Sequence, residues 1–89
     1  MNTGKQTGGP IANPIREMIG SSKIDGVIFK CPTIRKAENT RCAAIMLKRR
    51  NDYQYKTTRK GSILTVYKPE IDPYEIHNPT HVYFDEEDM

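Results

Sequence analysis

The sequence predicts a small, mainly β domain: an antiparallel sheet of four or five strands with one short N-terminal helix. Three observations carry that expectation. The chain has 89 residues, the length of one domain, and a chain this short buries only about 60% of its unfolded surface, so the core must be modest. From Lys23 onward the apolar residues fall in short runs punctuated by Pro, Gly, Asn and Asp, the spacing of strands and turns rather than of long amphipathic helices. Hydrophobic residues make up 36% and charged residues 28%, with no Trp, two Phe and a mean hydropathy of −0.71. That is wetter than an average globular domain, and polar ends around a compact centre are the expectation.

Taken in order, residues 1–10 combine Gly4, Gly8, Gly9 and Pro10 with polar neighbours, a composition that cannot repay the entropy of ordering, and they read as a disordered tail. A single domain should then occupy 11–84, followed by an acidic tail at 85–89. The domain opens with a helix signal: Asn13 as N-cap, Pro14 at the first helical position, Ile15, Met18 and Ile19 on one face, and Gly20 as the stop. Two turns are marginal alone, so that face must dock on the body of the domain or on a partner. Strands are expected at about 26–31, 42–49, 53–58, 62–68 and 80–84. Asn51-Asp52 and Arg59-Lys60-Gly61 supply turn chemistry that would join the middle three as an antiparallel meander, with Ile45, Leu47, Leu64 and Val66 sharing a buried face. Pro69, Pro73 and Pro79 each remove a ladder donor, so 69–79 should be an ordered loop before a last strand, His81–Phe84.

Charge divides along the chain more sharply than the net value of +3 suggests. Residues 1–68 hold all 14 Lys and Arg against Glu17, Asp25, Glu38 and Asp52, while 69–89 hold seven acids and neither Lys nor Arg. A basic body suits a polyanionic partner; an acidic end can fold against that body, compete for it, or bind another basic protein. No apolar run approaches the roughly 20 residues of a membrane span, and MNTGKQTGGP has no apolar signal core. The chain therefore reads as an intracellular protein with no membrane role, nuclear in a eukaryote and cytoplasmic otherwise. Catalysis finds no support: there is no nucleophile elbow, no phosphate-cradling glycine loop and no HExxH, and a domain of this size leaves little room for a walled pocket. A non-enzyme is expected.

Cys31 and Cys42, without a secretion signal, read as free thiols or metal ligands rather than a disulfide. With His77 and His81 they complete a C-x10-C…H-x3-H set. Zn²⁺ prefers four N and S ligands in a closed tetrahedral site, and a small core would gain from such a staple. The competing account makes the cysteines small buried hydrophobes and the histidines loop residues. Phe29-Lys30-Cys31-Pro32, Arg35-Lys36, Arg41-Cys42-Ala43-Ala44-Ile45 and Glu75-Ile76-His77-Asn78, spread over residues 27–81, resemble the FLYWCH type of zinc finger and its WRKY-like relatives. That resemblance implies Cys31, Cys42, His77 and His81 as zinc ligands on a small antiparallel sheet that binds DNA.

Nucleic-acid binding has support besides the zinc. Lys48, Arg49 and Arg50 lead into an expected turn, Tyr53, Tyr55 and Lys56 follow, and Arg59 and Lys60 fall in the next turn. Cations at hairpin ends meet phosphates and exposed tyrosines stack bases, so this stretch reads as a nucleic-acid surface, DNA before RNA. Lys30, Arg35, Lys36 and Arg41 would extend it. The same residues would equally serve as a charged edge that discourages sheet aggregation. The alternative function is a protein-interaction module or a viral or phage type of inhibitor, acting through the acidic end or through Ile15, Met18 and Ile19 of the helix.

Overall fold

A computed structural model describes residues 9–84. Most of the expected N-terminal tail and all of the acidic end at 85–89 lie outside the described residues. Within them, helix α1 (Ala12–Gly20) precedes strand β1 (Gly26–Lys30), helix α2 (Ile34–Asn51), strands β2 (Lys56–Lys60) and β3 (Ile63–Tyr67), a 3-10 turn (Pro73–Glu75) and strand β4 (Pro79–Tyr83). The expected four-stranded sheet and short N-terminal helix are present.

Helix α1 forms as its pattern requires, with one shift at the cap. Ile11 occupies the N-cap without a side-chain hydrogen bond, and Asn13, the expected cap, is the second residue of the helix, its backbone N–H donating to Gly9 O at 3.1 Å. Pro14 falls in the first turn, where its missing N–H has no helical partner to lose. Ile15 and Met18 are completely buried, whereas Ile19 is 37% exposed.

The largest departure from expectation is residues 42–49, which belong to α2 rather than to a strand. Thr33 starts this helix, its hydroxyl accepting from Lys36 N–H at 3.0 Å, and Asp52 ends it in the left-handed region at φ 57°. Between them Ala37, Thr40 and Ala44 are buried, a 3- and 4-residue spacing that puts all three on one stripe. Lys48, Arg49 and Arg50 occupy the last turn, where positive charge complements the helix dipole. The expected meander is accordingly reduced to one hairpin. Lys60 pairs with Ile63 across Gly61-Ser62, and Gly61 at φ 60° supplies the positive φ that such a two-residue turn needs at its first position.

Strand order is β2-β3-β1-β4. β3 runs antiparallel to both β2 and β1, and β4 runs parallel to β1, so the sheet is mixed rather than wholly antiparallel. Parallel strands need a long connection instead of a tight turn, and β1 reaches β4 through α2, β2 and β3; the last part of that path, the proline-interrupted segment between Tyr67 and Pro79, is the ordered loop expected there and crosses the Gly26 end of β1. Register puts Val27 opposite Val66 and Phe29 opposite Leu64, and all four are completely buried. Both helices cover this inner face; Ile15, Met18, Ala37, Ala44, Tyr55 and Phe84 complete the core. Phe84 stacks on Phe29 with ring centroids 5.9 Å apart, worth about 1 kcal/mol beyond the area buried.

Candidate nucleic-acid interface

Because side chains alternate across a strand, the residues that do not face the helices form a second, outer face. Register arranges it in three rows. At the hairpin end Lys60, Ile63, Lys30 and Tyr83 lie side by side; the middle row is Thr58, Thr65, Ile28 and His81; the third is Lys56, Tyr67, Gly26 and Pro79. Each row spans three strand spacings, about 14 Å. Among these strand residues there are three lysines and no carboxylate.

The loop before β4 lies on the third row. A Cβ at Gly26 would meet Val66 O at 2.9 Å and Ile76 Cδ1 at 3.2 Å, so glycine lets the loop and β3 approach. Asp25 ties the loop down, its Oδ2 accepting from His77 N–H at 3.1 Å. The other two rows carry no helix, and Tyr83 is 66% exposed. Lysines sit over the aromatic rings: Lys30 Nζ is 5.3 Å from the Tyr83 centroid and Lys60 Nζ is 5.1 Å from that of Tyr74. His81 stacks beside Tyr83 at 6.4 Å.

The eight residues read from the sequence as a nucleic-acid surface divide between the two ends of β2. Lys60 and Lys56 are exposed on the outer face at opposite ends of the strand, about 13 Å apart. Arg59 points the other way, its Nε 2.9 Å from Glu38 Oε1 and its Nη1 donating to Gly61 O at 2.8 Å. Glu38 is shared with Arg41 at 2.7 Å; the Arg41 hydrogen bond, aided by the charges of both arginines, holds its carboxyl below the ordinary value. Arg49 and Arg50 are exposed at the end of α2 near Lys56. Lys48 turns back to donate to Tyr55 O at 2.8 Å.

Tyr55 requires a correction. It is 1% exposed, its hydroxyl donates to Ala44 O at 2.6 Å, and burial, with the Tyr53 charge second, pushes its phenol up to about 12. A ring so enclosed cannot stack a base. Tyr53 is half-buried against the same core. The aromatic positions open to a ligand are Tyr83, His81 and Tyr74. The sequence points to His81 as a metal ligand and gives Tyr83 and Tyr74 no binding role; the alternation His81-x-Tyr83 beside Ile28-x-Lys30 carries the signal, but only register puts the two strands together.

The four expected zinc ligands are not gathered. Cys31 is buried just beyond β1, its sulfur 4.0 Å from Thr40 Oγ1 and 4.0 Å from Phe29 O. Cys42 is exposed, two residues past Thr40 and so turned about 200° around the helix. His77 precedes β4 at the Gly26 end, opposite the Lys30 end where Cys31 lies. The intervening strand, about 13 Å long, is far more than two metal–ligand bonds of about 2 Å can bridge. Among the described residues no group of three His, Cys, Asp or Glu could hold a metal ion. Burial, opposed by the Thr40 hydrogen bond and Lys36, pushes the Cys31 thiol up, the reverse of an activated nucleophile.

The partner-facing helix of the alternative reading is also engaged elsewhere, since Ile15 and Met18 are core residues. Among the described residues no helix is long and apolar enough to cross a membrane. No family model, no curated protein and no solved structure matches the chain.

Proposed function

We propose that the chain is a non-catalytic nucleic-acid-binding domain, with DNA as its first candidate, and that the outer sheet face is its contact surface. One observation supports this above the rest: the row Lys60, Ile63, Lys30, Tyr83, in which cations alternate with apolar and aromatic side chains, with no carboxylate among the described strand residues of that face. Phosphates need the first kind of group and bases the second. Arg49, Arg50 and Lys56 offer a second cluster where α2 hands over to β2, suited to a backbone that continues past the sheet. Arg59 is a weaker candidate, because its guanidinium is already engaged by Glu38 and by Gly61 O.

The test is fluorescence anisotropy of labelled DNA oligonucleotides across a salt series, with wild type and the triple variant Lys30→Gln, Lys56→Gln, Lys60→Gln. Binding should weaken linearly on a log–log plot, by about 0.7 (single strand) to 0.9 (duplex) per phosphate neutralised, and the triple variant should flatten the slope by about 2. An unchanged slope in the triple variant would remove the sheet face from the contact.

A further inference from the structure

Resting on the nucleic-acid reading, we infer that the groove between the β2–β3 hairpin and Tyr74 is a subsite for one unstacked base, which makes the domain a reader of single strands. The groove encloses about 260 Å³ and is lined by Thr58, Lys60, Ile63, Thr65, Pro73 and Tyr74. Its components match the parts of a nucleotide. Tyr74 is 79% exposed and Ile63 40% exposed, giving an aromatic and an aliphatic wall for a flat ring. Thr58 and Thr65 are direct cross-strand partners and both line the groove; a threonine hydroxyl can donate or accept, which accommodates the edge of any base. Lys60 Nζ lies over the Tyr74 ring, 5.1 Å from its centroid; a base stacking on that face takes its place and leaves the ammonium to meet the nucleotide's own phosphate. Among the described residues no carboxylate lines the groove.

Tyr74 is held in place rather than loosely tethered. Asp72 Oδ1 accepts from Tyr74 N–H at 2.9 Å and Asp72 O from Glu75 N–H at 2.8 Å, and Pro73 fixes the first position of the turn. A backbone fixed in this way leaves only the ring's own rotamers to be ordered on stacking. In a duplex both faces of a base are covered and its edge is paired, so only a single strand, a loop or a frayed end can fill the groove. Hydroxyls that serve either polarity predict weak preference among bases, and stacking predicts strong preference for bases over bare backbone.

The experiment compares a thymidine oligonucleotide with one of equal length in which abasic residues replace the bases, by anisotropy at fixed salt, for wild type, Tyr74→Ala and Tyr74→Phe. Tyr74 is outside the core, and circular dichroism checks that both variants fold. Wild type should bind the intact strand about 10-fold or more tighter than the abasic one; Tyr74→Ala should lose that difference while keeping the salt slope, and Tyr74→Phe should retain most of it. Equal binding of both strands, with Tyr74→Ala unchanged, would overturn the subsite and leave an electrostatic surface. Failure of wild type to bind either strand at low salt would overturn the nucleic-acid reading itself.

Discussion

Removing the Tyr55 hydroxyl should change the sign of its effect on stability between neutral and high pH. At pH 7 Tyr55→Phe deletes a buried hydrogen bond of 2.6 Å to Ala44 O, whose net worth is about 1 kcal/mol. Ala44 lies inside α2, where its carbonyl keeps its helical partner, so no orphaned acceptor adds to the loss. The phenol titrates at 10.0 unfolded and about 12 folded. Between those values the unfolded chain has released a proton that the native chain still holds, so native stability falls as pH rises. At about 1.36 kcal/mol per pH unit the loss reaches about 2 kcal/mol at pH 12. The variant has no such group and escapes it. Its stability relative to wild type should therefore run from about 1 kcal/mol lower at pH 7, through equality near pH 11, to about 1 kcal/mol higher at pH 12. Urea denaturation followed by circular dichroism at pH 7, 10, 11 and 12 measures this, because lysine titration is common to both proteins and cancels in the difference. A difference that stays constant across the range would mean that Tyr55 ionises alike in both states, and the buried, hydrogen-bonded phenol would be refuted.

Three further outcomes follow from other parts of the fold. Thr33→Ala, by deleting the side chain that accepts from Lys36 N–H, should lower the unfolding free energy by about 1 kcal/mol, and a variant as stable as wild type in urea would remove α2's N-cap. Gly26→Ala places a methyl 2.9 Å from Val66 O and 3.2 Å from Ile76 Cδ1 and should destabilise by about 1–3 kcal/mol; an unchanged thermal midpoint would mean that β3 and the loop do not close on Gly26. Native mass spectrometry with and without a strong chelator should give the same metal-free mass and the same folded charge-state distribution, whereas one Zn²⁺ whose removal unfolds the chain would restore the Cys31, Cys42, His77, His81 site.

Strand positions were largely legible because large side chains advertise them. Val27, Phe29, Leu64 and Val66 alternate with polar or less buried residues, and the prolines of 69–79 mark a loop by chemistry alone. Helix α2 was not legible from periodicity, because the residues it buries completely or nearly so, Ala37, Thr40 and Ala44, are small and only weakly apolar. Its conspicuous apolar run, Cys42–Leu47, mixes faces: Ala44 is buried, while Met46 is 53% exposed. A run of that length fits a buried strand as well as a helix. The overlooked signals were Thr33 as cap, helix-favouring Arg, Lys, Ala, Met and Leu throughout, and the absence of Gly or Pro from 34–51. Small residues on the stripe let α2 lie close on the sheet, and the bulk that fills the interface comes from Phe29, Leu64 and Tyr55 instead.

The candidate surface was half legible for the same reason. A dense local pattern such as RRNDYQYKTTRK draws attention, yet its members part company once the chain folds: Tyr55 enters the core, Arg59 pairs with Glu38, and Arg49 and Arg50 lie in the last turn of a helix. What replaces it is non-local. Lys30 and Lys60 are thirty residues apart in sequence and share a row only because β3 separates them by a single strand. Tyr83 joins that row through a parallel pairing that no short-range turn specifies. Tyr74 reaches the groove through a loop set by three prolines. The chain thus uses its helices to cover one face of a thin sheet and lays only the loop before β4 on part of the other, and the described residues left open on that second face are the ones a single strand would require: spaced cations, exposed rings and hydroxyls, with the nearby carboxylates kept to the loop. If binding were purely electrostatic, the basic end of α2 would serve as well as the sheet. The aromatic side chains distinguish the two, and for that reason Tyr74, rather than any lysine, is the residue whose replacement separates reading of bases from attraction to phosphate.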